Sequence, residues 1–153
     1  MDLRKQFFNI MCELAKDPKV ILLVGDLGYS FCEDFAEKFP KQFINCGIAE
    51  QSMVGIASGM ARGGLKPYVY SGVPFILFRA YEQVRDDVAY NNTNVKLIGT
   101  GASGFLGFTH NLQGTENTED LLKNLPNIKR CYPQGPEELK EALLTNGPAF
   151  IKI

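Results

Sequence analysis

The sequence predicts an α/β fold: a single open, mostly parallel sheet with helices on both faces. Three observations predict it. Strand-like apolar runs alternate with amphipathic, helix-like stretches almost from end to end. The most regular run, Val20-Ile21-Leu22-Leu23-Val24, is apolar at every position, as a strand covered on both faces must be. Finally, no linker, repeat or low-complexity segment divides the 153 residues, and the final Pro148–Ile153 stretch reads as a closing strand, so one domain spanning 1–153 is expected.

The elements follow in order. Leu3, Phe7, Ile10, Met11 and Leu14 recur at helical spacing, so residues 2–16 read as an amphipathic helix. Asp17-Pro18 ends it, because proline disfavours the helical conformation in the residue before it. The strand at 20–24 stops at Gly25. Residues 31–38 read as a short helix, 42–45 as a strand and 48–62 as a helix rich in small residues. Val69-Tyr70 belongs to the next strand, 75–91 to one long helix and 95–98 to another strand. A glycine-rich loop spans 99–114. The remainder reads helix (118–124), strand (128–131), helix (136–145) and strand (149–153). Such repeated strand–helix–strand units imply right-handed crossovers between parallel strands.

Composition excludes several classes. With 16 Lys+Arg against 17 Asp+Glu, the net charge of −1 leaves no footprint for nucleic acid. No apolar run approaches the ~20 residues that a membrane helix needs. The four cysteines, Cys12, Cys32, Cys46 and Cys131, form no CxxC pair. Residues 1–6 lack the pattern of an export signal. Free thiols without such a signal imply the cytoplasm. The small residues of 48–62 and the apolar segment 73–78 serve either the domain's own core or an obligate interface. Together, in a chain this short, they favour the interface.

The residues with most chemical content lie between 43 and 55. Phe43-Ile44-Asn45 runs into Cys46-Gly47, and a helix follows with Glu50 in its first turn. A carboxylate there can simply oppose the helix dipole. Placed at the carboxyl edge of an α/β sheet, where ligands collect, a desolvated glutamate can also hold or share a proton.

The run Gly47-Ile48-Ala49-Glu50-Gln51, with Met53, Gly55, Ala57, Gly59, Met60, Ala61 and Gly64-Leu65-Lys66-Pro67, resembles the signature of the pyrimidine-binding domain in transketolase-like thiamine-diphosphate enzymes. The likeness continues through Arg79-Ala80-Tyr81-Glu82-Gln83-Val84-Arg85, Leu125-Pro126-Asn127 and Pro133, covering essentially the whole chain. It implies that Glu50 hydrogen-bonds a ring nitrogen of the cofactor's aminopyrimidine and drives the imino form that activates the thiazolium. It implies that Phe75 stacks on that ring and that Phe78 lines the pocket. Asp26-Leu27 then lies close to the cofactor, and Ser30 touches the sugar phosphate of the substrate. His110, the chain's only histidine, then contacts a substrate oxygen as a catalytic residue. Read without the likeness, Phe75 suits ordinary packing, 26–30 suits a turn and a solitary histidine is often incidental.

The sequence also departs from the pattern. Gly72 stands where the family usually has an aromatic, so that wall of the pocket is expected to be reduced. Ser103-Gly104-Phe105-Leu106 lacks the acidic residues usual before Gly107-Phe108-Thr109-His110, and the stretch from Asn111 to Thr118 looks expanded. The family's metal–diphosphate signature is missing as well. The resemblance therefore implies a split transketolase. Here a separate diphosphate-binding, N-terminal-type subunit holds most of the thiamine diphosphate and Mg²⁺, in a hetero-oligomer such as a heterotetramer. The pair moves a two-carbon ketol unit between sugar phosphates or related activated sugars. The alternatives are a deoxyxylulose-phosphate-synthase-like or oxoacid-dehydrogenase-like subunit, or a non-catalytic assembly or regulatory module.

Overall fold

The computed structural model describes residues 2–101 and 116–153. Among these, six strands form one sheet in the order β2-β1-β3-β4-β6-β5: β1 Val20–Val24, β2 Phe43–Asn45, β3 Lys66–Gly72, β4 Lys96–Thr100, β5 Lys129–Cys131 and β6 Ala149–Lys152. Every pairing is parallel, so the sheet is wholly rather than mostly parallel.

Side chains alternate between two cores, as the two-residue period of a strand requires. On one face Ile21, Leu23, Val69, Leu97 and Phe150 pack against α3 (Glu50–Arg62) and the segments that follow β3. On the other face Leu22, Val24, Tyr70, Ile98 and Ile151 meet α1 (Leu3–Leu14), α2 (Glu33–Lys38) and α6 (Pro136–Leu143). Each fully buried Leu, Ile or Phe contributes roughly 1.5–3 kcal/mol of transfer free energy. All five residues of β1 are buried, which is why this strand reads as a continuous apolar run.

Strand β3 is longer than the expected Val69-Tyr70 and admits Pro67. The Lys66 amide donates to the Lys19 carbonyl on the β1 side. Successive residues alternate sides, so Pro67 faces β4, where pairing starts only at Tyr68 opposite Lys96. The missing N–H therefore costs no ladder bond.

The expected single helix at 75–91 is corrected. It divides into a π-turn Phe75–Arg79, a short α4 Tyr81–Gln83 and a second π-turn Val84–Tyr90. The break falls at Ala80 (φ −112°, ψ 22°), and five-residue hydrogen bonds run from the Asn91 amide to Asp86 O (3.3 Å) and from the Thr93 amide to Val88 O (3.1 Å). Such widened turns re-aim side chains and occur frequently at functional sites. The small residues of α3 divide between two uses. Ala57 and Ser58 are buried in this domain, with Ser58 Oγ donating to Asp87 O at 2.7 Å. A Cβ on Gly59 would meet nothing within 4 Å. Of the apolar run 73–78, Val73, Ile76 and Leu77 are core residues and Phe78 is exposed. The last helix before β5 is α5, Glu116–Leu122.

Candidate functional site at the switch point of the sheet

The chain leaves β1 toward β2 on one side and enters β3 on the other, so the strand order reverses between β1 and β3. A crevice opens at such a point beyond the carboxyl ends of the strands, and ligands of open α/β sheets bind there. Gly25 ends one wall and Ser71-Gly72 the other, joined by the Gly25 amide donating to Tyr70 O at 3.0 Å.

Glu50 reaches into this crevice. It opens α3, yet it is 1% exposed, and its carboxylate turns to the sheet edge. Ser71 Oγ donates to Oε1 at 2.9 Å, and Arg79 Nη1 donates to Oε2 at 2.7 Å. A glutamate that only stabilised its helix would have no reason to leave water, because an unpaired buried carboxylate is very costly. Gly25 makes room for it: a Cβ there would lie 2.9 Å from Ser71 Oγ and 3.1 Å from Glu50 Oε1.

Phe75 lies beside this acid. The Arg79 guanidinium sits 4.5 Å from the centre of its ring, a cation–π contact. The same ring lies close over Gly72, where a Cβ would come within 2.9 Å of Phe75 Cδ2. The reduced wall expected at Gly72 is thus the space that the Phe75 ring uses. Glu50 and Phe75 meet through Arg79, which contacts both, and Phe78 is at the surface, 58% exposed.

The other expected residues divide. Asp26, one residue beyond Gly25, adopts a left-handed φ of 52°. Its Oδ1 accepts from Asn45 Nδ2 (3.1 Å) and Tyr29 Oη (3.0 Å), tying the ends of β1 and β2. That carboxylate pushes the Tyr29 phenol above its ordinary range. Leu27 lines a separate hollow of about 200 Å³ with Arg4, Tyr70 and Thr100. Ser30 lines a groove with Phe8, Cys12 and Lys38, and its amide donates to Glu33 Oε1 at 2.9 Å in a local turn. His110 lies outside the described residues.

Sequence reasoning missed Ser71, Arg79 and Gly25 as parts of the acid site. The available signals were a hydroxyl ending an apolar strand and a cation four residues after the aromatic.

Fold and site together define an α/β domain that holds a buried acid and an aromatic ring at the switch point of a parallel sheet. The family described as "Transketolase, pyrimidine binding domain" matches residues 1–147, and the chain belongs to that family. It is 41% identical over 128 residues to an apulose-4-phosphate transketolase subunit of Actinobacillus succinogenes, covering 78% of this chain and 40% of that protein. It is 31% identical to the 6-deoxy-6-sulfo-D-fructose transketolase subunit SqwH of a Clostridium species, over 99% of this chain and 49% of that one. Among solved structures, a split-gene transketolase described as an inactive β4 tetramer matches with a TM-score of 0.83 and 32% identity, over 97% of this chain and 50% of that chain. The transketolase of Leishmania mexicana, at 21% identity and a TM-score of 0.82 over 98% of this chain and 24% of that one, shares the fold. The chain spans half or less of the length of these relatives.

Proposed function

We propose that this chain is the pyrimidine-binding part of a split, thiamine-diphosphate-dependent transketolase-type transferase. It works with a separate subunit that holds most of the diphosphate and Mg²⁺, and it transfers a two-carbon ketol unit between sugar phosphates or related activated sugars. One observation carries the reading: a carboxylate 1% exposed, placed at the switch point of the sheet and backed by a hydroxyl donor. The residues fit an aminopyrimidine. Phe75 offers a flat apolar face, Gly72 leaves that ring its place, and Gly25 leaves the carboxylate its place.

Glu50 would hold a proton against a ring nitrogen, and Ser71 Oγ would fix the rotamer of the carboxylate through Oε1. Burial removes the water that would otherwise compete for that proton. The carbanion chemistry belongs to the cofactor when bound, and this chain contributes orientation and one proton. His110 is assigned to a substrate oxygen. Asp26 and Leu27 are assigned to the cofactor and Ser30 to the sugar phosphate of the substrate.

The surface supports a partner. Ile48, two residues before the acid, is 74% exposed, and Phe78 and Ile56 are 58% and 48% exposed. Ile48 lies two residues from Glu50 and Phe78 next to Arg79 in the chain, and exposed apolar side chains flanking a site suit an interface. We assign it to the diphosphate-binding subunit, in a hetero-oligomer such as a heterotetramer. The four free cysteines are consistent with the cytoplasm.

The test reconstitutes this chain with its diphosphate-binding partner, thiamine diphosphate and Mg²⁺, and assays ketol transfer. Glu50→Gln should lose at least about 10²-fold in rate, the lower end of general acid–base contributions. Equal rates in the two proteins would remove the catalytic assignment.

A further inference from the structure

The contacts of Arg79 have a specific shape. Its guanidinium, a planar cation with N–H donors at its edge, lies over the Phe75 ring at 4.5 Å and donates to Glu50 Oε2 at 2.7 Å. Resting on the reading above, the bound aminopyrimidine would take the same two places: a face on Phe75 and a ring nitrogen against the Glu50 carboxyl, the two sharing the proton that Glu50 holds. Two flat groups cannot share one face of a ring and one carboxylate oxygen. We propose that Arg79 is a built-in occupant of the aminopyrimidine position, an internal stand-in that the cofactor must displace.

The local structure suits an exchangeable plug. Guanidinium is weakly hydrated for a cation, stacks on aromatic faces and pairs strongly with carboxylates. It neutralises a Glu50 that would otherwise be a buried anion held by Ser71 alone among these contacts. Arg79 is the last residue of its π-turn, directly before the break at Ala80, and its side chain is 36% exposed against 1% for Glu50. The acid stays in place while the cation has a route to solvent. The plug thus keeps the acid folded into the crevice and lowers the affinity of the crevice for the cofactor. A protein whose competent state is only partly populated binds weaker by that fraction.

The experiment titrates the purified chain with thiamine, which carries the pyrimidine and lacks the diphosphate, and follows binding by calorimetry and by the Phe75 ring resonances. Arg79→Met removes the cation and keeps the apolar stem. It should bind thiamine at least about tenfold tighter than the native chain, the return of a plug that fills the position nine-tenths of the time. Arg79→Lys, whose ammonium keeps the charge but cannot lie flat on the ring, should fall between the two. Glu50→Gln added to Arg79→Met should cancel the gain.

No gain in a folded Arg79→Met chain overturns the proposal, as does a gain that survives Glu50→Gln. If Arg79→Met fails to fold, Arg79→Lys decides: tighter binding than native supports the plug, and unchanged binding overturns it. The parent reading has a separate fate. Loss of ketol transfer by Glu50→Gln in the reconstituted pair, with no gain from Arg79→Met, removes the plug and leaves the acid site standing.

Discussion

Two glycine-to-alanine substitutions in this chain should move stability in opposite directions. At Gly25 the added methyl would lie 2.9 Å from Ser71 Oγ, 3.1 Å from Glu50 Oε1 and 3.3 Å from Met53 Cε, all belonging to buried residues. Burying the methyl is worth about 0.8 kcal/mol in transfer. Overpacking of a tight core costs typically about 1–3 kcal/mol and outweighs that gain. For a chain of this size each kcal/mol moves Tm by about 2–4 °C, so Gly25→Ala should melt several degrees lower. At Gly59, inside α3, the same methyl would meet nothing within 4 Å. There alanine reduces the freedom of the unfolded chain and raises helix propensity, for a gain of about 0.5–1 kcal/mol. Gly59→Ala should therefore melt a few degrees higher. Urea or thermal denaturation of the isolated chain followed by circular dichroism reads both. A raised Tm for Gly25→Ala would refute the claim that Gly25 is required by the acid packed against it, and a lowered Tm for Gly59→Ala would refute the open space assigned to that position. A neutral Gly25→Ala would show that Ser71 and Glu50 yield without strain.

Lys96 predicts a pH dependence. It is 3% exposed on β4, where its Nζ donates to Gly147 O at 2.7 Å and to Asn94 Oδ1, and burial, assisted by Lys129, pushes it down from 10.5 to about 8. Between those values the unfolded chain binds the extra proton and the native chain does not, so this group's contribution to stability rises with pH across that window. The difference in unfolding free energy between the native chain and Lys96→Met should shift toward the native chain from pH 7 to 10.5, by on the order of 2 kcal/mol. Cys12, Cys32 and Cys46, pushed up by burial, titrate in both proteins and cancel in that difference, whereas Cys131 lies in the field of Lys96 and contributes to it. A flat difference across the window would show that Lys96 stays charged when folded. The interface makes its own prediction: Ile48→Asp and Phe78→Asp, at exposed positions, should leave Tm within a few degrees while abolishing assembly with the diphosphate-binding subunit in sedimentation velocity. Unaltered assembly by both variants would move the interface elsewhere.

Legibility followed locality. The layers of the fold could be read because β1 is apolar at every position, and only a doubly covered strand has that composition. Glu50 could be read because a short strand, a glycine turn and a helix start are contiguous in sequence. The extent of β3 could not, since Pro67 argues against a strand until the pairing partner on its unbonded side is known to begin one residue later. The division of 75–91 into π-turns was equally hidden, because apolar spacing there suits one long helix and the widening depends on tertiary contacts. Ser71 and Arg79 lie 21 and 29 residues from Glu50, and no periodicity brings them to it.

That division of the legible from the hidden bears on how the site works. The acid itself is specified locally, whereas everything that makes it tolerable in the interior is specified at a distance. A carboxylate at the start of an exposed helix needs only water, but one that is 1% exposed needs a donor on each oxygen. Ser71 supplies one from a strand end buried within the domain, and it is fixed wherever the sheet forms. Arg79 supplies the other from the end of a π-turn with an exposed side, and it is the donor that can be exchanged. A site with one permanent and one replaceable donor is stable before a ligand arrives and can still admit a ligand whose ring nitrogen shares a proton with the acid. On the proposed reading, the asymmetry between Ser71 and Arg79 gives a physical reason why an acid this deeply buried can stand ready for a heterocycle without unfolding the domain that carries it.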